Sequence, residues 1–381
     1  MKTVALSEVC DIQVGRTPSR SEPSFWGRGE PWLSIADMNQ GHRITKTREQ
    51  ITPLAASGGR QVPAGTVLLS FKLSIGKVSI AGLPLFTNEA IAALQIRDHE
   101  RLDARYLLRA LEGMDLAADS NRAAMGATLN KAQLHVIRIP LPLLNEQRRI
   151  AAILDQADAL RAKRRQDLAH LDALAQSLFR ETFRHRRDPM VRLDSLVASD
   201  DHVNYGVVQP GPHAPNGTPL IRISNLRNSA VNSSDIKLIS RDIDRLHARS
   251  RIRGDEILVG CVGSIGQISL VSPELVGYNI ARAIARVPIE DPTTRCYVAE
   301  YLKTATPQEY FRGETRTVAQ PTLNVKQLAA TMVPLPPIAI QEEFVHRIDS
   351  VSRMQGHARA TQTLDHELFA SLQSRAFRGE L

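Results

Sequence analysis

The chain repeats itself. Thr128-Leu129-Asn130 recurs as Thr322-Leu323-Asn324, Pro140-Leu141-Pro142 as Pro334-Leu335-Pro336, Ser177-Leu178 as Ser371-Leu372, and Phe183-Arg184 as Phe377-Arg378. Each pair lies 194 residues apart, so no insertion interrupts the register (128 to 322, 140 to 334, 177 to 371). A repeat this long restricts the fold to two copies of one plan. Earlier parts match more loosely. Trp32-Leu33-Ser34-Ile35 resembles Leu220-Ile221-Arg222-Ile223, Ser74-Ile75-Gly76-Lys77 resembles Ser264-Ile265-Gly266-Gln267, and Asn88 resembles Asn279. There the offset drifts from 188 to 191, which places the length changes in loops.

Each copy ends in a long helix. Leu144 to Arg184 contains neither Gly nor Pro and is rich in Ala, Leu, Gln, Arg and Glu, all strong helix formers. Pro140 and Pro142 precede it and Pro189 follows, which bounds the element. At about 1.5 Å per residue it is a rod roughly 60 Å long. Ile150, Ala157, Leu171 and Leu178 predict one seam of a heptad pattern, and Ile153, Leu160 and Leu174 the other. Arg164 and Asp167 break it in the middle. A helix with one narrow apolar stripe needs a partner, and the C-terminal copy supplies one. The plan is a globular part at 1–143, a central helix at 144–187, a second globular part at 188–337 and a C-terminal helix at 338–381 pairing with the central one.

The chain has 381 residues, long enough for two domains with real cores. Three cysteines (Cys10, Cys261, Cys296) stand at no metal or redox spacing, which predicts a reducing cytoplasm and no disulfide framework. The N-terminal MKTVALSEVCD meets charge too early for a signal peptide, and Ile257 to Pro273 is too short and too Gly- and Ser-rich for a span. Net charge is +8, so an acidic partner fits, but the basicity is mild and spread out. If DNA is that partner, another subunit supplies part of the phosphate neutralisation.

Along the chain, GRTPSRSEPSFWGRGEPW at 15–32 reads as a loop rich in turn residues, with basic, polar and aromatic groups interleaved. Such a loop suits phosphate and base-edge contact, although any one of its residues also fits a solvated surface. Trp32–Met38 reads as a strand, Gln61–Gly82 as a β-hairpin, Leu102–Met114 as a helix, Arg122–Lys131 as a small-polar loop and Leu134–Leu141 as a strand. The small-polar loop suits either a phosphate grip or local helix capping. In the second copy Asp200–Thr218 reads as loop, Leu220–Leu226 as strand, Arg245–Arg253 as a basic patch over a turn, Ile257–Val271 as hairpin and Tyr297–Arg312 as helix. No P-loop, no HExxH pair and no Asn/Asp-Pro-Pro-Tyr run is present. Asp235-Ile236-Lys237 imitates a nuclease carboxylate–lysine pair but lacks a second carboxylate, so the chain is expected to catalyse nothing itself.

These motifs closely resemble the specificity subunit of Type I restriction–modification systems. The carrying stretches are GRTPSR…FWGRGEPWLSIADM (15–38), LSFKLSIGKVSIAG (69–82), GATLNKAQL…IPLPLLNEQRRIAAILDQAD (126–158) and SLFRETF (177–183). Their echoes are VGSIG (262–266), PTLNVKQL…VPLPPIAIQEEF (321–344) and SLQSRAFRGEL (371–381). The resemblance implies an α+β chain with two α/β globular target-recognition domains in an internal pseudo-twofold repeat, separated by two long antiparallel coiled-coil helices. Each domain would read one half of a bipartite, asymmetric site in double-stranded DNA. Two modification (methyltransferase) subunits and two restriction motor–nuclease subunits are the implied partners, with no membrane. S-adenosylmethionine, ATP and Mg are expected only in those partners, and the location is cytoplasmic. A stand-alone sequence-specific DNA-binding regulator and a coiled-coil assembly protein are the other classes considered.

In the first domain the residues expected to meet DNA are Arg16, Thr17, Ser19, Arg20, Trp26, Arg28, Lys72, Ser74, Lys77, Arg122, Thr128 and Lys131. In the second they are Tyr205, Gln209, Arg222, Ser224, Asn225, Ser264, Gln267, Thr322, Asn324 and Lys326. Arg161, Lys163, Arg164 and Arg165 on the central helix are expected either to touch phosphates or to form a solvated face. The second domain lacks the first one's TP…W loop and has Gln267 where the first has Lys77.

Overall fold

The computed structural model describes residues 2–72, 74–116, 121–123, 126–227, 230–232, 235–315 and 321–381; of these, the side chains of 121–123, 126–128, 227 and 230 are not described. The chain divides into two compact units, residues 1–165 with 360–381, and residues 166–359. The central helix, Leu144–Phe183, and the C-terminal helix, Ile338–Arg378, each give one part to each unit. Both helices run as their Gly/Pro-poor composition predicts.

The first unit holds a five-stranded sheet in the order Cys10–Val14, Ile91–Ile96, Val67–Ser70, Val78–Ala81, Arg43–Ile44. Val67–Ser70 and Val78–Ala81 are the predicted hairpin, paired Val67 to Ile80 and Leu69 to Val78. A three-stranded sheet places Trp26–Leu33 antiparallel to Glu49–Ile51 and parallel to Phe86–Thr87. Its core joins Leu69, Leu94, Tyr106, Leu111 and Leu134 to Ile150, Ala151, Leu154 and Ala376 of the long helices.

The second unit repeats this plan with fewer strands. Its four-stranded sheet runs Asn204–Tyr205, Ile284–Pro288, Glu256–Gly260, Ile268–Leu270, and its three-stranded sheet runs Lys237–Ile239, Thr218–Ile221, Asn279–Ile280. Its core joins Val259, Val287, Tyr297, Phe311 and Leu328 to Phe179 and Phe344 of the long helices. The bases of the units match closely. Thr3–Ala5 pairs with Arg138–Pro140, and Met190–Arg192 with Met332–Pro334. Tyr106 Oη donates to the Pro140 carbonyl at 2.9 Å, and Tyr297 Oη to that of Pro334 at 2.7 Å. Gln147 Nε2 donates to the Pro142 carbonyl and Gln341 Nε2 to that of Pro336, at 2.9 and 2.8 Å. These buried bonds explain why the Pro-Leu-Pro and Gln spacings repeat without slippage: a shifted register would leave polar groups unpaired inside.

Several local expectations are corrected. The strand expected at Trp32–Met38 lies at Trp26–Leu33, so part of the expected 15–31 loop is sheet. It ends because Asp37, 3% exposed, accepts from Ser34 N and Oγ at 3.0 and 2.8 Å and fixes a turn. The strand expected at Leu220–Leu226 likewise stops at Ile221. Asn225, standing 188 residues after Asp37, accepts from Arg222 N at 2.9 Å and caps the following turn. Arg122–Lys131 is not all loop: Asn121–Ala123 pairs with Gly126–Thr128, and a helix starts at Lys131. That helix, Lys131–Val136, replaces the first part of the strand expected at Leu134–Leu141, leaving Arg138–Pro140 extended. The helix expected at Tyr297–Arg312 is two, Pro292–Leu302 and Ala305–Glu314. Thr304 Oγ1 turns back to the Tyr301 carbonyl, and Pro307 is tolerated only in a first turn.

Of the heptad reading of the central helix one seam holds, with Ile150 buried and Leu171 and Leu178 packed against the second unit's core, and the other is shifted by one residue. Leu160 and Leu174 are 41% and 43% exposed, whereas Ala151, Leu154, Leu168 and Phe179 are buried. Charged residues take the inward places in between. Arg161 lies 4.3 Å from the Phe369 ring and 3.2 Å from Asp158, and Arg164 lies 3.5 Å from Asp365. A guanidinium can cover apolar surface with its stem and ring face while its charge stays paired.

Candidate nucleic-acid interface

The first unit gathers the 15–30 residues around two tryptophans. Trp26 and Trp32 meet edge to face at 5.0 Å. The Arg20 guanidinium lies 3.7 Å from the Trp26 ring centre and forks onto Glu49, with Nη2 to Oε2 at 2.9 Å. Hydrogen bonding to Arg20 holds the Glu49 carboxyl below its usual range. Trp26 Nε1 donates to the Ser19 carbonyl, Thr17 Oγ1 to Glu89, and Arg16 Nη1 to the Gly58 carbonyl. Ser19 Oγ meets Ser21 Oγ at 2.8 Å. Arg28 sits exposed in the irregular stretch of the strand and makes no ion pair with a described residue. The predicted residues are therefore brought together, but Arg20 and Thr17 face carboxylates. Reading DNA with them requires exchanging those partners.

Next to the hairpin, Gly76 adopts φ +89° and its N–H donates to the Ser70 carbonyl at 3.0 Å, closing a tight turn that carries exposed Ser74. Lys72 Nζ lies 5.3 Å from the Phe71 ring, and Lys77 Nζ donates to Asn39 at 2.7 Å. The second unit reproduces the turn. Gly266 has φ +79° and donates to the Gly260 carbonyl at 2.9 Å, with Ser264 exposed. Gln267, standing where the first unit has Lys77, donates instead to the Leu226 carbonyl at 2.5 Å.

The Thr-Leu-Asn motifs dock identically. Leu129 N donates to the Phe71 carbonyl and Leu323 N to that of Cys261, both at 2.9 Å. Asn130 then caps a short helix reciprocally with Gln133, and at the second helix Asn324 N donates to Gln327 Oε1 at 2.9 Å. Of the two uses expected for this motif, helix capping is the one these contacts perform. Lys131 and Lys326 stand exposed on the caps' first turns, and Thr322 is half-buried. Arg122 and Thr128 lie in the short strand pair, and their side chains fall outside the described set.

Elsewhere in the second unit, Tyr205 is 52% exposed on an edge strand, and Gln209 and Ser224 are exposed. Arg222 Nη2 donates to Asp235 at 2.8 Å, while Asn225 is 4% exposed and consumed by its turn. Asp235 is thus engaged by Arg222, and Lys237 Nζ bonds the Gly211 carbonyl, so the imitated nuclease pair does not converge. The expected basic patch is largely neutralised: Arg245 pairs with Asp242, Arg251 with Asp244 and Arg253 with Asp201, leaving Arg249 exposed. On the central helix Lys163 and Arg165 are exposed, whereas Arg161 and Arg164 point at Asp158 and Asp365.

Sequence reading missed a shared pivot of both heads. A Cβ on Gly15 would meet the Thr87 carbonyl at 2.1 Å, and one on Gly206 would meet the Ile280 carbonyl at 1.7 Å. Arg16 N and Val207 N, the next residues, both donate to those carbonyls at 2.8 Å. Only glycine fits so close an approach. Burial pushes the Cys10 and Cys261 thiols up to about 12, which leaves them unreactive. Among the described residues no three His, Cys, Asp or Glu side chains converge as a metal requires, and no helix is long and apolar enough to cross a membrane.

Residues 1–170 and 209–363 match the profile of the Type I restriction modification DNA specificity domain, once in each half of the repeat. The chain belongs to this family. Over 99% of its length it is 26% identical to the Escherichia coli Type I restriction enzyme EcoBI specificity subunit, covering 85% of that protein. A stretch of 41% of the chain is 30% identical to the Escherichia coli EcoR124I/EcoR124II specificity subunit, covering 40% of it. The fold resembles that of a type I restriction–modification S subunit from M. genitalium (TM-score 0.55, 14% identity, 99% of this chain and 96% of that one). It also resembles a chain from a study of assembly and conformational transition in the type I system (TM-score 0.54, 18% identity, 100% and 98%). As a specificity subunit the chain carries its family match over both heads, and the two heads share turns, caps and glycine pivots while their exposed residues differ.

Proposed function

We propose that each head reads one half of a bipartite, asymmetric DNA site for a Type I restriction–modification complex. The observation that carries this reading is one head plan built twice with different surface residues: exposed Arg16, Arg20 and Arg28 with half-buried Trp26 in one, exposed Tyr205, Gln209 and Ser224 with half-buried Arg222 in the other. Such side chains suit base edges and phosphates, and their divergence suits two unlike half-sites. The long helices pair antiparallel as a coiled coil about a pseudo-twofold, set the half-site spacing and dock two methyltransferase subunits, with two motor–nuclease subunits completing the enzyme. In support, Gln355 Nε2 reaches Asp172 at 2.8 Å and Arg164 lies near Asp365, pairs that run in opposite senses along the two helices. The chain itself is non-catalytic and cytoplasmic; S-adenosylmethionine, ATP and Mg act in the partners.

The test is a modified-base map of DNA from cells carrying this gene with its neighbouring methylase, and from a deletion. Methylation at one split motif, lost on deletion, is expected. An unchanged map in an active methylase background overturns the reading and favours the stand-alone regulator. Adding one heptad to both helices is expected to lengthen the gap between half-sites or abolish methylation.

A further inference from the structure

The two heads differ in one hidden place. Strand pairing aligns Trp32 with Leu220 and Ile51 with Ile239, and puts Asn279 at Phe86 rather than at Asn88, which its residue type resembles; the glycine pivots align Arg16 with Val207. Thr52 and Ser240 both cap the next short helix, accepting from Ala55 N and Ile243 N, which aligns Ala55 with Ile243. In the second head Val207, Leu220, Ile239 and Ile243 fill this space as an apolar cluster. In the first head Trp32, Ile51 and Phe86 form the matching apolar cluster, and beside it Arg16 and the smaller Ala55 border an open cavity of about 350 Å3. That is the size of a small-ligand site.

The walls indicate what it takes. Ile51, Ala55 and Phe86 supply an apolar side. At the mouth, Gly58 lets the Arg16 guanidinium lie against the backbone and bond its carbonyl, leaving its other N–H groups free to turn outward. Arg60 is exposed beside it, and neither arginine has a carboxylate partner among the described residues. A cleft with one apolar wall, under two uncompensated guanidinium groups, suits a flat ring that carries a phosphate. We propose that the first head holds one nucleotide here, its base in the cleft and its phosphate on Arg16 and Arg60. Two sources share that chemistry, an unstacked nucleotide of bound DNA and a free mononucleotide. The cavity opens within the 15–30 loop assigned to DNA, which favours DNA as the source. This step rests on the DNA-reading function proposed above.

The variant is Ala55→Ile, which installs the second head's own residue on the same capped turn. The full chain with its methyltransferase partner is bound to duplex carrying the mapped target, with 2-aminopurine placed in turn along the first half-site. One position is expected to brighten several-fold on binding. Ala55→Ile is expected to lose that signal and about tenfold in target affinity, with its thermal melt unchanged. Arg60→Gln is expected to weaken binding and lower its salt dependence without altering the fold. A target-specific complex in which no position brightens, or one in which Ala55→Ile brightens like the parent, overturns DNA as the source. Calorimetry with AMP, GMP, CMP and TMP then decides the site itself: binding abolished by Ala55→Ile keeps a free-nucleotide pocket, and no binding overturns the pocket. Absence of any target-specific complex is a separate result, overturning the function proposed above.

Discussion

The same slot in the two central sheets holds opposite chemistry. In the first unit Leu68 pairs with Ala93, and Thr66 precedes the strand; in the second, Leu258 pairs with Arg286, and Glu256 takes the matching place. Ala93 joins an apolar cluster with Leu33, Ile44 and Leu68. Arg286 is completely buried, its Nη2 2.7 Å from Asp201 and 3.1 Å from the equally buried Glu256, with Nη1 donating to the Arg249 carbonyl at 2.8 Å. The sheet tolerates both because the backbone ladder is the same and every introduced charge meets an opposite one. The heads thus diverge inside as well as on their reading surfaces. An ionic centre also ties the 200–205 loop and the Arg249 turn to the sheet, which an alanine cannot do.

The comparison breaks most sharply at Arg286. Arg286→Ala strands Glu256 and Asp201 in the interior, and about 3–5 kcal/mol of stability should be lost from the second unit. Restoring the first unit's pattern with Glu256→Thr and Asp201→Cys in the same chain should recover most of it, because paired apolar replacements remove the stranded charges. Chemical denaturation reads both; a single variant costing under about 1 kcal/mol would show the charges to be hydrated rather than buried.

Acid should separate the units next. Burial opposes charge on Asp201 and Asp244, yet the bonds from Arg286 to Asp201, and from Arg251 and Asn279 to Asp244, hold both below the usual carboxylate range. A carboxyl lowered on folding contributes stability that is present above its unfolded value, about 3.9, and is lost as pH falls through the folded value. Glu256 has the opposite sign, since burial outweighs its backbone bonds and Arg286 and raises it. In the first unit the lowered Glu49 sits in a half-exposed pair, which solvent screens. Melting followed from pH 7 toward pH 3 should therefore show the second unit losing more stability, and Asp244→Asn should flatten that acid limb.

A smaller effect is expected where the helices meet the heads. Arg109, 3% exposed, bonds Glu112, Asp155 and Asp158, and His42 approaches Glu112 and Asp158 at 2.6 and 3.3 Å. Aligning Tyr106 with Tyr297 places Glu300 and Lys303 at the same two positions, an ion pair with its order reversed. Arg109→Ala leaves three carboxylates that are part-solvated, so about 1–3 kcal/mol should be lost. Lys303→Ala, releasing one pair near the surface, should cost under about 1 kcal/mol.

What the sequence made legible follows from which interactions are local. The long helices, the hairpin at Val67–Ala81 and the Pro-Leu-Pro entry were readable because propensity and spacing act along the chain. The 194-residue register was readable because Gln147 and its echo Gln341 bond the fixed carbonyls of Pro142 and Pro336. Gly15 and Gly206 were hidden: the loops around them differ, and only the carbonyls of Thr87 and Ile280, brought in by parallel strands far along the chain, reveal the need for glycine. One seam of the central helix, Ile150, Leu171 and Leu178, was legible, but the other was misplaced by one position because Arg161 and Arg164 pack inward, which a pattern of apolar residues cannot register. Asn225 looked like a base reader because Asn suits adenine; its partner in meaning is Asp37, recognisable only once Ser34 and Arg222 are seen bonding the two side chains.

The smallest effect decides between two uses of one residue. Asn130 and Asn324 stand at matched cap positions, each before the helix that leads into a Pro-Leu-Pro segment. If capping is their whole task, Asn130→Ala should cost about 1 kcal/mol and Asn324→Ala, whose side chain makes no cap bond, less, each in its own unit with methylation specificity intact. Asp in place of either Asn suits the same position and should restore stability. If Asn324 also reads a base edge, Asn324→Asp should restore stability yet relax the second half-site at one position, because a carboxylate cannot make the paired donor and acceptor contact that Asn makes to adenine. Stability and methylation maps of the same four variants separate the outcomes. A relaxed position with Asn324→Asp but not with Asn130→Asp would show that the two heads use a matched cap position for different ends.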